Sequence, residues 1–388
     1  MARLKWLLLA LVLLSPLGID IYLPAIPAIA NALAIPASLV QSTVSLFLLM
    51  MGLGQLIAGP LADRFGRRPV AMAGVLLYML GGLMAMLADN VLLFIASRLL
   101  QGTAVCCSSV VAFTAVRDRL DGEASARTYS FLNGALNIVP ALAPLLGGFL
   151  AQQFGWQAPF GFLAGYAALL LGVIWRYLPE TRPADTHAAT LLPLHRYLQI
   201  LRSRQFRRFS LVNSTGMGMV LSYVSLAPTV MIAEAGLSPV HFSLIFGANA
   251  LWIMLASANA NWLIRRFGQR RCLQVAASWQ ALAALSLMLS FTLWGSSAVG
   301  YMLPVALGCA GFACGLGPAT SLALAPYKAQ AGVAASLVLF MQMAGASLIG
   351  LLAVALPVAP QWALAATMLL AALVAYRAAR AAVSVAAS

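Results

Sequence analysis

The sequence has few charged residues, and acids are the rarest of them. Charged residues make up 8% of the 388 residues, with 9 Asp and Glu against 23 Lys and Arg. A typical soluble domain is about one-quarter charged, so this composition excludes an ordinary soluble fold. Hydrophobic residues make up 62% of the chain, and the mean hydropathy is +0.93. These values predict a protein that lies within a membrane.

Metal ligands and acid–base groups are also scarce. The 3 histidines and 5 cysteines show no spacing typical of a metal site or a catalytic triad, and no Gly-rich phosphate loop occurs. We therefore expect free thiols, no metal, no cofactor and no enzymatic activity. The cysteines, all within or beside predicted spans, are Cys106, Cys107, Cys272, Cys309 and Cys314.

Apolar runs of about 20 residues, the length needed to cross a bilayer, account for nearly the whole chain. We predict twelve spans, at about 4–26, 40–61, 69–88, 91–117, 125–150, 157–178, 206–233, 239–263, 270–292, 298–323, 329–354 and 358–380. The fold class is therefore an all-α membrane protein with an N-terminal six-helix half over 1–178, a cytoplasmic linker over 179–205 and a C-terminal six-helix half over 206–388. The stretch LADRFGRR at 61–68 is echoed 202 residues later by LIRRFGQR at 263–270, as expected of parallel repeats.

The placement of the basic residues predicts the orientation of the spans. The net charge of +14 could indicate nucleic-acid binding, but every Lys and Arg except Arg98 falls on one predicted side of the membrane. These residues lie at the start of span 1, or between the end of an even-numbered span and the first residues of the next span. This is the positive-inside pattern. It argues against nucleic acid as a partner and predicts that both termini are cytoplasmic.

Asp20 is the one acid predicted at membrane depth, and Arg98 is the one base. Ionisable groups in hydrocarbon are costly, usually face the bundle interior and mark a transport or proton path. Arg98 shares a helix face with Gln101, and Asp20 is the only acid at that depth that could pair with it. Alternatively, Asp20 finds water near a helix end and Arg98 extends to the membrane surface.

The stretch GPLADRFGRRP at 59–69 combines turn and charge residues in an ordered spacing. We expect Gly59 to permit close helix approach, Asp63 to offer an acid to a neighbouring helix, and Gly66 to turn the chain. This stretch resembles the loop 2–3 signature of the major facilitator superfamily, and the resemblance implies a cytoplasmic latch between the two halves. The alternative is a simple positive-inside turn. The latch residues are Gly59, Asp63, Arg64, Gly66, Arg67 and Arg68.

Two further stretches resemble signatures of the same superfamily. The stretch RLLQG at 98–102 resembles a signature associated with proton coupling, and PLLGG at 144–148 resembles the end of an antiporter signature that points to exporters. Pro140 and Pro144 are expected to bend their helix, and Gly147 and Gly148 to let it pack closely. Ordinary packing of a membrane helix would explain the same Gly and Pro residues.

Together these stretches resemble the drug:proton antiporter group with twelve spans, of the bicyclomycin/chloramphenicol-resistance type. The resemblance implies a multi-pass transporter of the bacterial inner membrane, with two pseudo-symmetric halves, that exports lipophilic antibiotics such as chloramphenicol-type compounds by alternating access. It also implies that Asp20 carries the proton and Arg98 modulates it. The expected partners are small lipophilic drugs, protons and the lipid bilayer, and a monomer is expected. The cavity residues implied are Tyr22, Gln101, Val105, Asn133, Leu136, Asn137, Pro140, Asn213, Met217, Tyr223, Asn249 and Gln342.

Two other functions remain open from the sequence. The same fold could carry a small metabolite such as a nucleoside, sugar or amino acid, although few polar groups in the spans argue against a sugar. The third possibility is a membrane enzyme or sensor that does not transport. The sequence contains no cluster of His, Asp and Glu that would support it.

Overall fold

A computed structural model describes residues 2–120, 122–182 and 194–386 of the chain. Within these residues the structure is helical and contains no strand. The helices are α1 Ala2–Asp20, α2 Ile26–Ala32, α3 Ala37–Phe65, α4 Arg67–Met86, α5 Val91–Arg119, α6 Gly122–Phe154, α7 Ala158–Tyr177, α8 Leu194–Arg202, α9 Arg204–Pro228, α10 Pro239–Trp294, α11 Ala298–Leu324, α12 Ala331–Ala355 and α13 Pro360–Ala386. The predicted all-α fold class is confirmed.

Twelve helical segments of the described chain are long and apolar enough to cross a membrane. The predicted number of spans is therefore confirmed. The first span, Arg3–Ala32, is interrupted: α1 ends at Asp20, and a single 3₁₀ turn at Leu23–Ala25 leads into α2. Pro24 lies in that turn, and proline has no N–H to continue a helix. Helix α10 contains two candidate spans, Pro239–Ala260 and Trp262–Trp294, and its backbone departs from helical geometry at Gly268 (φ 79°, ψ 162°).

The chain forms two compact units. The first unit comprises Met1–Pro36 and Leu46–Pro193, and the second comprises Ala37–Ser45 and Leu194–Ser388. Helix α3 contributes its first residues to the second unit, where Gln41 Nε2 donates to Thr229 Oγ1 at 2.5 Å.

In the first unit, polar side chains from neighbouring helices bind carbonyl groups of α1. Tyr78 of α4 donates to the Leu14 carbonyl at 2.9 Å, and Tyr166 of α7 donates to the Ala10 carbonyl at 2.8 Å. Pro16 lies inside α1; it removes the helical hydrogen bond to the Val12 carbonyl and kinks the helix. Hydrogen bonds from other helices therefore help to hold the irregular α1 in place.

The second unit is organised around α9, which is largely buried. Ser214 Oγ donates to the Met341 carbonyl of α12 at 2.8 Å. A Cβ at Gly218 would lie within 3 Å of three side-chain atoms of Ile349, also on α12. Small residues of this kind let membrane helices pack at short distances.

Candidate functional site

Asp20 lies at the point where the first span is interrupted. Its side chain is buried, and it is the last residue of α1. Among the described residues, no hydrogen bond or ion pair to its carboxyl group is found. A charged carboxylate in such a place costs several kcal/mol unless it gains a partner or water. This combination of burial and helix interruption distinguishes Asp20 from the other described acids.

Arg98 is fully buried on α5 and binds neutral groups. Its Nη2 donates to the Gly18 carbonyl at 2.6 Å, and its Nη1 donates to Gln101 Oε1. The ion pair with Asp20 that the sequence suggested is not among the ion pairs of the described residues. The reason is that Gly18 belongs to the last turn of α1, whose carbonyls lack partners within the helix and accept from the guanidinium instead.

Aromatic rings surround the remaining faces of the guanidinium. The Cζ atom of Arg98 lies 4.5 Å from the ring centroid of Tyr22, 4.8 Å from that of Phe47 and 5.9 Å from that of Phe160. Cation–π contacts of this kind gain strength when the cation is removed from water. Phe47 and Phe160 come from α3 and α7, and their sequence surroundings gave no signal that they would meet Arg98.

Gly147 of α6 packs against the backbone next to Asp20. A Cβ built on Gly147 would lie only 1.6 Å from the carbonyl oxygen of Ile21. Any side chain at this position would therefore collide with the backbone of Ile21, the first residue after α1. The described backbone of α6 is continuous from Gly122 to Phe154 despite Pro140 and Pro144 inside it.

The stretch at 59–69 forms a buried charge cluster. Arg67 Nη1 lies 2.6 Å from Asp63 Oδ1, and Arg67 Nε lies 3.0 Å from Asp118 Oδ2 at the end of α5. The side chains of Arg67 and Asp118 are 2% and 4% exposed. Arg68 Nη2 donates to the Trp175 carbonyl at 2.5 Å. These contacts connect the α3–α4 turn to α5 and α7 within the first unit.

Glu180, which the sequence placed in the linker, completes this cluster. Its Oε1 accepts from the backbone N–H groups of Arg67 at 2.8 Å, Thr181 at 3.0 Å and Arg182 at 3.0 Å. Its Oε2 accepts from the N–H of Arg68 at 3.2 Å. Burial alone raises the pKa of Glu180, but these four backbone donors lower it, and the net pKa lies below the usual value of 4.5. Glu180 therefore closes the N-terminus of α4 as an anion.

The glycines of this stretch behave differently from one another. Gly66 has φ +100° and Gly268, its counterpart in the repeat, has φ +79°, a region that favours glycine. The expected turn at Gly66 is therefore present, and the repeat is visible in the backbone. The expected role of Gly59 is wrong for this structure, because a Cβ there would meet nothing within 4 Å. Among the described residues, the Arg64 side chain donates no hydrogen bond. The Arg64 carbonyl accepts a hydrogen bond from Arg182 Nη1 at 2.8 Å.

The other expected cavity residues of the first unit are distributed over α5 and α6. Val105 is buried, while Leu136 and Pro140 are half-buried. The side chains of Asn133 and Asn137 lie outside the part that the structure describes. Gly148 follows Gly147 on α6 and is buried.

In the second unit, several expected cavity residues contact neighbouring helices. Asn213 Nδ2 donates to Thr320 Oγ1 at 2.8 Å, Asn249 Nδ2 lies 3.8 Å from Cys309 Sγ, and Tyr223 stacks on Phe246 with centroids 5.4 Å apart. These contacts are of the kind that helix packing requires. Met217 is half-buried, and Gln342 is buried.

Twelve potential spans, interrupted helices and a buried acid beside a buried arginine define the class of polytopic membrane transporters. The chain belongs to the Major Facilitator Superfamily, whose pattern it matches over residues 8–350. The fold supports this: a D-xylose–proton symporter superposes with a TM-score of 0.77 at 16% identity, covering 97% of each chain. A peptide transporter superposes with a TM-score of 0.78 at 16% identity, covering 97% of this chain and 95% of that one.

Relatives of closer sequence carry names of drug-resistance proteins. The multidrug resistance protein MdtL of Shewanella sp. (strain ANA-3) is 33% identical over 87% of this chain and 85% of its own length. MdtL of Escherichia coli O139:H28 is 35% identical over the same shares of the two chains. A chloramphenicol resistance protein of Pseudomonas aeruginosa is 34% identical over 82% of this chain and 74% of its own. The resemblance inferred from the motifs, to multidrug efflux protein MdtL and its group, is thus confirmed, and the protein is a multi-pass inner-membrane transporter rather than an enzyme.

Proposed function

We propose that this protein is a proton-coupled exporter of lipophilic antibiotics, including chloramphenicol-type compounds. The names of the relatives support the substrate class. The resemblance of residues 98–102 and 144–148 to proton-coupling and antiporter signatures supports the coupling and the direction.

One observation carries the proton role of Asp20. Its carboxyl group is buried where the first span is interrupted, and Gly147 of the antiporter stretch touches the next residue of the chain. An acid in this position can hold a charge only when water or a partner reaches it. We propose that Asp20 binds a proton from one side of the membrane and releases it to the other as the substrate moves in the opposite direction.

We propose that Arg98 modulates Asp20 through the C-terminal turn of α1. The guanidinium donates to the Gly18 carbonyl, two residues before Asp20 in the same helix. A shift of the last turn of α1 would change the position of the carboxyl group relative to this charge, and a nearby arginine favours the ionised form of a carboxylate. Movement of α1 would thereby be coupled to proton release.

The substrate would be held by apolar walls with a few amide groups, a surface suited to loose recognition of varied compounds. The proposed substrate residues are Gln101, Val105 and Leu136 in the first unit, and Met217 and Asn249 in the second. The halves, 1–178 and 206–388 joined by the linker 179–205, would expose this cavity alternately to the two sides. Both termini would be cytoplasmic, and a monomer would suffice.

The test is efflux from inside-out vesicles with and without an imposed pH gradient. Asp20→Asn should abolish accumulation of a chloramphenicol-type compound driven by the gradient, while exchange of the compound down its own gradient persists. Glu123→Gln is the matched control, because Glu123 is an exposed acid of the same unit with a 78% exposed side chain. Full gradient-driven transport by Asp20→Asn would refute the proton role, and transport of a sugar or amino acid instead of the drug would refute the substrate class.

A further inference from the structure

A groove runs between the N-terminal part of α1 and the C-terminal part of α7. Its volume is about 630 Å³. The lining side chains repeat every three to four residues on both helices, as two facing helical stripes do. They are Arg3, Trp6, Leu7 and Ala10 of α1 and Tyr166, Leu169, Leu170, Val173 and Tyr177 of α7.

The groove has a closed inner end and an open, basic outer end. At the inner end, the hydrogen bond from Tyr166 to the Ala10 carbonyl holds the two helices together. From Ala10 to Arg3 the groove extends roughly 10 Å at about 1.5 Å per residue, which is a large part of one leaflet's hydrocarbon, about 15 Å. The depth therefore suits part of an acyl chain.

The outer end carries one unpaired cation. Arg3 is exposed and forms none of the ion pairs of the described residues. The groove contains no acid among its lining residues.

The rim also carries the aromatic residues that favour the headgroup level. Trp6 is 63% exposed and Tyr177 is 57% exposed, and such amphipathic rings are enriched at membrane–water interfaces. Below them, Leu169 is 75% exposed, so an apolar surface faces the lipid. The groove therefore presents Arg3 first, then the rings of Trp6 and Tyr177, and then apolar side chains such as Leu169. A phospholipid presents its phosphate, glycerol region and acyl chains in the same order.

We propose that this groove binds an anionic phospholipid of the cytoplasmic leaflet, with its phosphate at Arg3 and an acyl chain between α1 and α7. The leaflet follows from the predicted orientation of the termini. A basic pocket between membrane helices is a known type of site for anionic lipid headgroups. Binding here would attach the start of the helix that carries Asp20 to α7.

The experiment measures fluorescence quenching in vesicles that contain the full-length protein. Phosphatidylglycerol or phosphatidylcholine with brominated acyl chains is the quencher, and the difference between wild type and Trp6→Phe isolates the signal from the groove. We expect the groove to prefer phosphatidylglycerol by roughly five-fold, which corresponds to one basic side chain near an anionic lipid. Arg3→Gln should reduce this preference to about one-fold, whereas Arg208→Gln, an exposed arginine of α9, should leave it unchanged.

Three results would overturn the proposal. The wild type could show equal quenching by the two lipids at Trp6, Arg208→Gln could lower the preference as much as Arg3→Gln, or millimolar inorganic phosphate could remove the preference. The first result denies the site, the second attributes it to general surface charge, and the third identifies a free anion as the occupant. Because no transport is measured, the outcome is independent of the proton-coupled export proposed above.

Discussion

Replacing Gly147 by alanine tests whether α6 must touch the backbone next to Asp20. The added Cβ would lie 1.6 Å from the Ile21 carbonyl oxygen and 2.6 Å from its carbon, while ordinary contact begins at 3.4 Å. The helices must therefore separate by nearly 2 Å, and both colliding atoms belong to the backbone, which cannot rotate away. A misplacement of about 1 Å can cost 100-fold at a site that depends on geometry, and overpacking costs about 1–3 kcal/mol of stability.

We expect Gly147→Ala to lower gradient-driven efflux at least about ten-fold in vesicles with equal amounts of protein. Gly134→Ala is the matched control on the same helix, because a Cβ at Gly134 meets nothing within 4 Å. That variant should keep full activity. Thermal unfolding in detergent accompanies the assay, so that a loss of folded protein is distinguished from a loss of coupling.

Equal transport by the two alanine variants would refute the proposed role of the contact between Gly147 and Ile21. Equal activity would mean that α6 tolerates displacement from Ile21, and that the contact has no part in coupling.

Three further predictions concern charged groups of the first unit. Arg98→Lys cannot reproduce the paired hydrogen bonds and ring stacking of a guanidinium; we expect thermal unfolding to show a loss of about 2 kcal/mol, together with weaker gradient-driven efflux. Asp118→Asn removes a buried partner of Arg67, and we expect a loss of about 3 kcal/mol in the same measurement. Because the pKa of folded Glu180 lies below 4.5, its stabilising contribution is complete above that value and is lost as the pH falls through the folded pKa. The melting temperature of Glu180→Gln should therefore be lower than that of the wild type at pH 7, and the difference should shrink in acid.

Exposed charges provide the comparison for these three predictions. Glu123→Gln breaks a pair with Arg127 whose side chains are 78% and 73% exposed, and such pairs contribute under about 1 kcal/mol. A loss as large as that of Asp118→Asn would contradict the importance of burial. If the difference in melting temperature between Glu180→Gln and wild type were the same at pH 7 and in acid, the role of the Glu180 charge would be contradicted. If Arg98→Lys matched the wild type in stability and efflux, any cation would serve at position 98.

The features that the sequence predicted well depend on local chemistry. The number of spans follows from the length of apolar runs, because hydrocarbon thickness sets the length of a helix. The turns at Gly66 and Gly268 follow from glycine's access to positive φ, which the repeat places at equivalent positions. Both properties belong to short stretches of chain and require no knowledge of their neighbours.

The features that the sequence missed depend on contacts between distant residues. Phe47 and Phe160 meet Arg98 from other helices, and Glu180 meets the α3–α4 turn more than 100 residues after it, with sequence separations of 112 and 113 residues to Arg68 and Arg67. Glu180 is the second residue of the predicted linker 179–205, so its position suggested a solvated connection. The expectation for Gly59 failed for the converse reason, because an ordered spacing within one stretch does not show whether another helix approaches it.

Asp20 and Arg98 form no ion pair with one another among the described residues, and this affects the proposed mechanism. A permanent ion pair between Asp20 and Arg98 would hold both charges in place. Neutralising one member of a buried ion pair costs about 3–5 kcal/mol. Here Nη1 and Nη2 of Arg98 donate to an amide and a carbonyl and aromatic rings cover the guanidinium, while its buried Nε has no hydrogen-bond partner among the described residues. In the proposed mechanism Asp20 is the group that binds and releases the proton, and the interruption of the first span after Asp20 would allow its carboxyl group to change position.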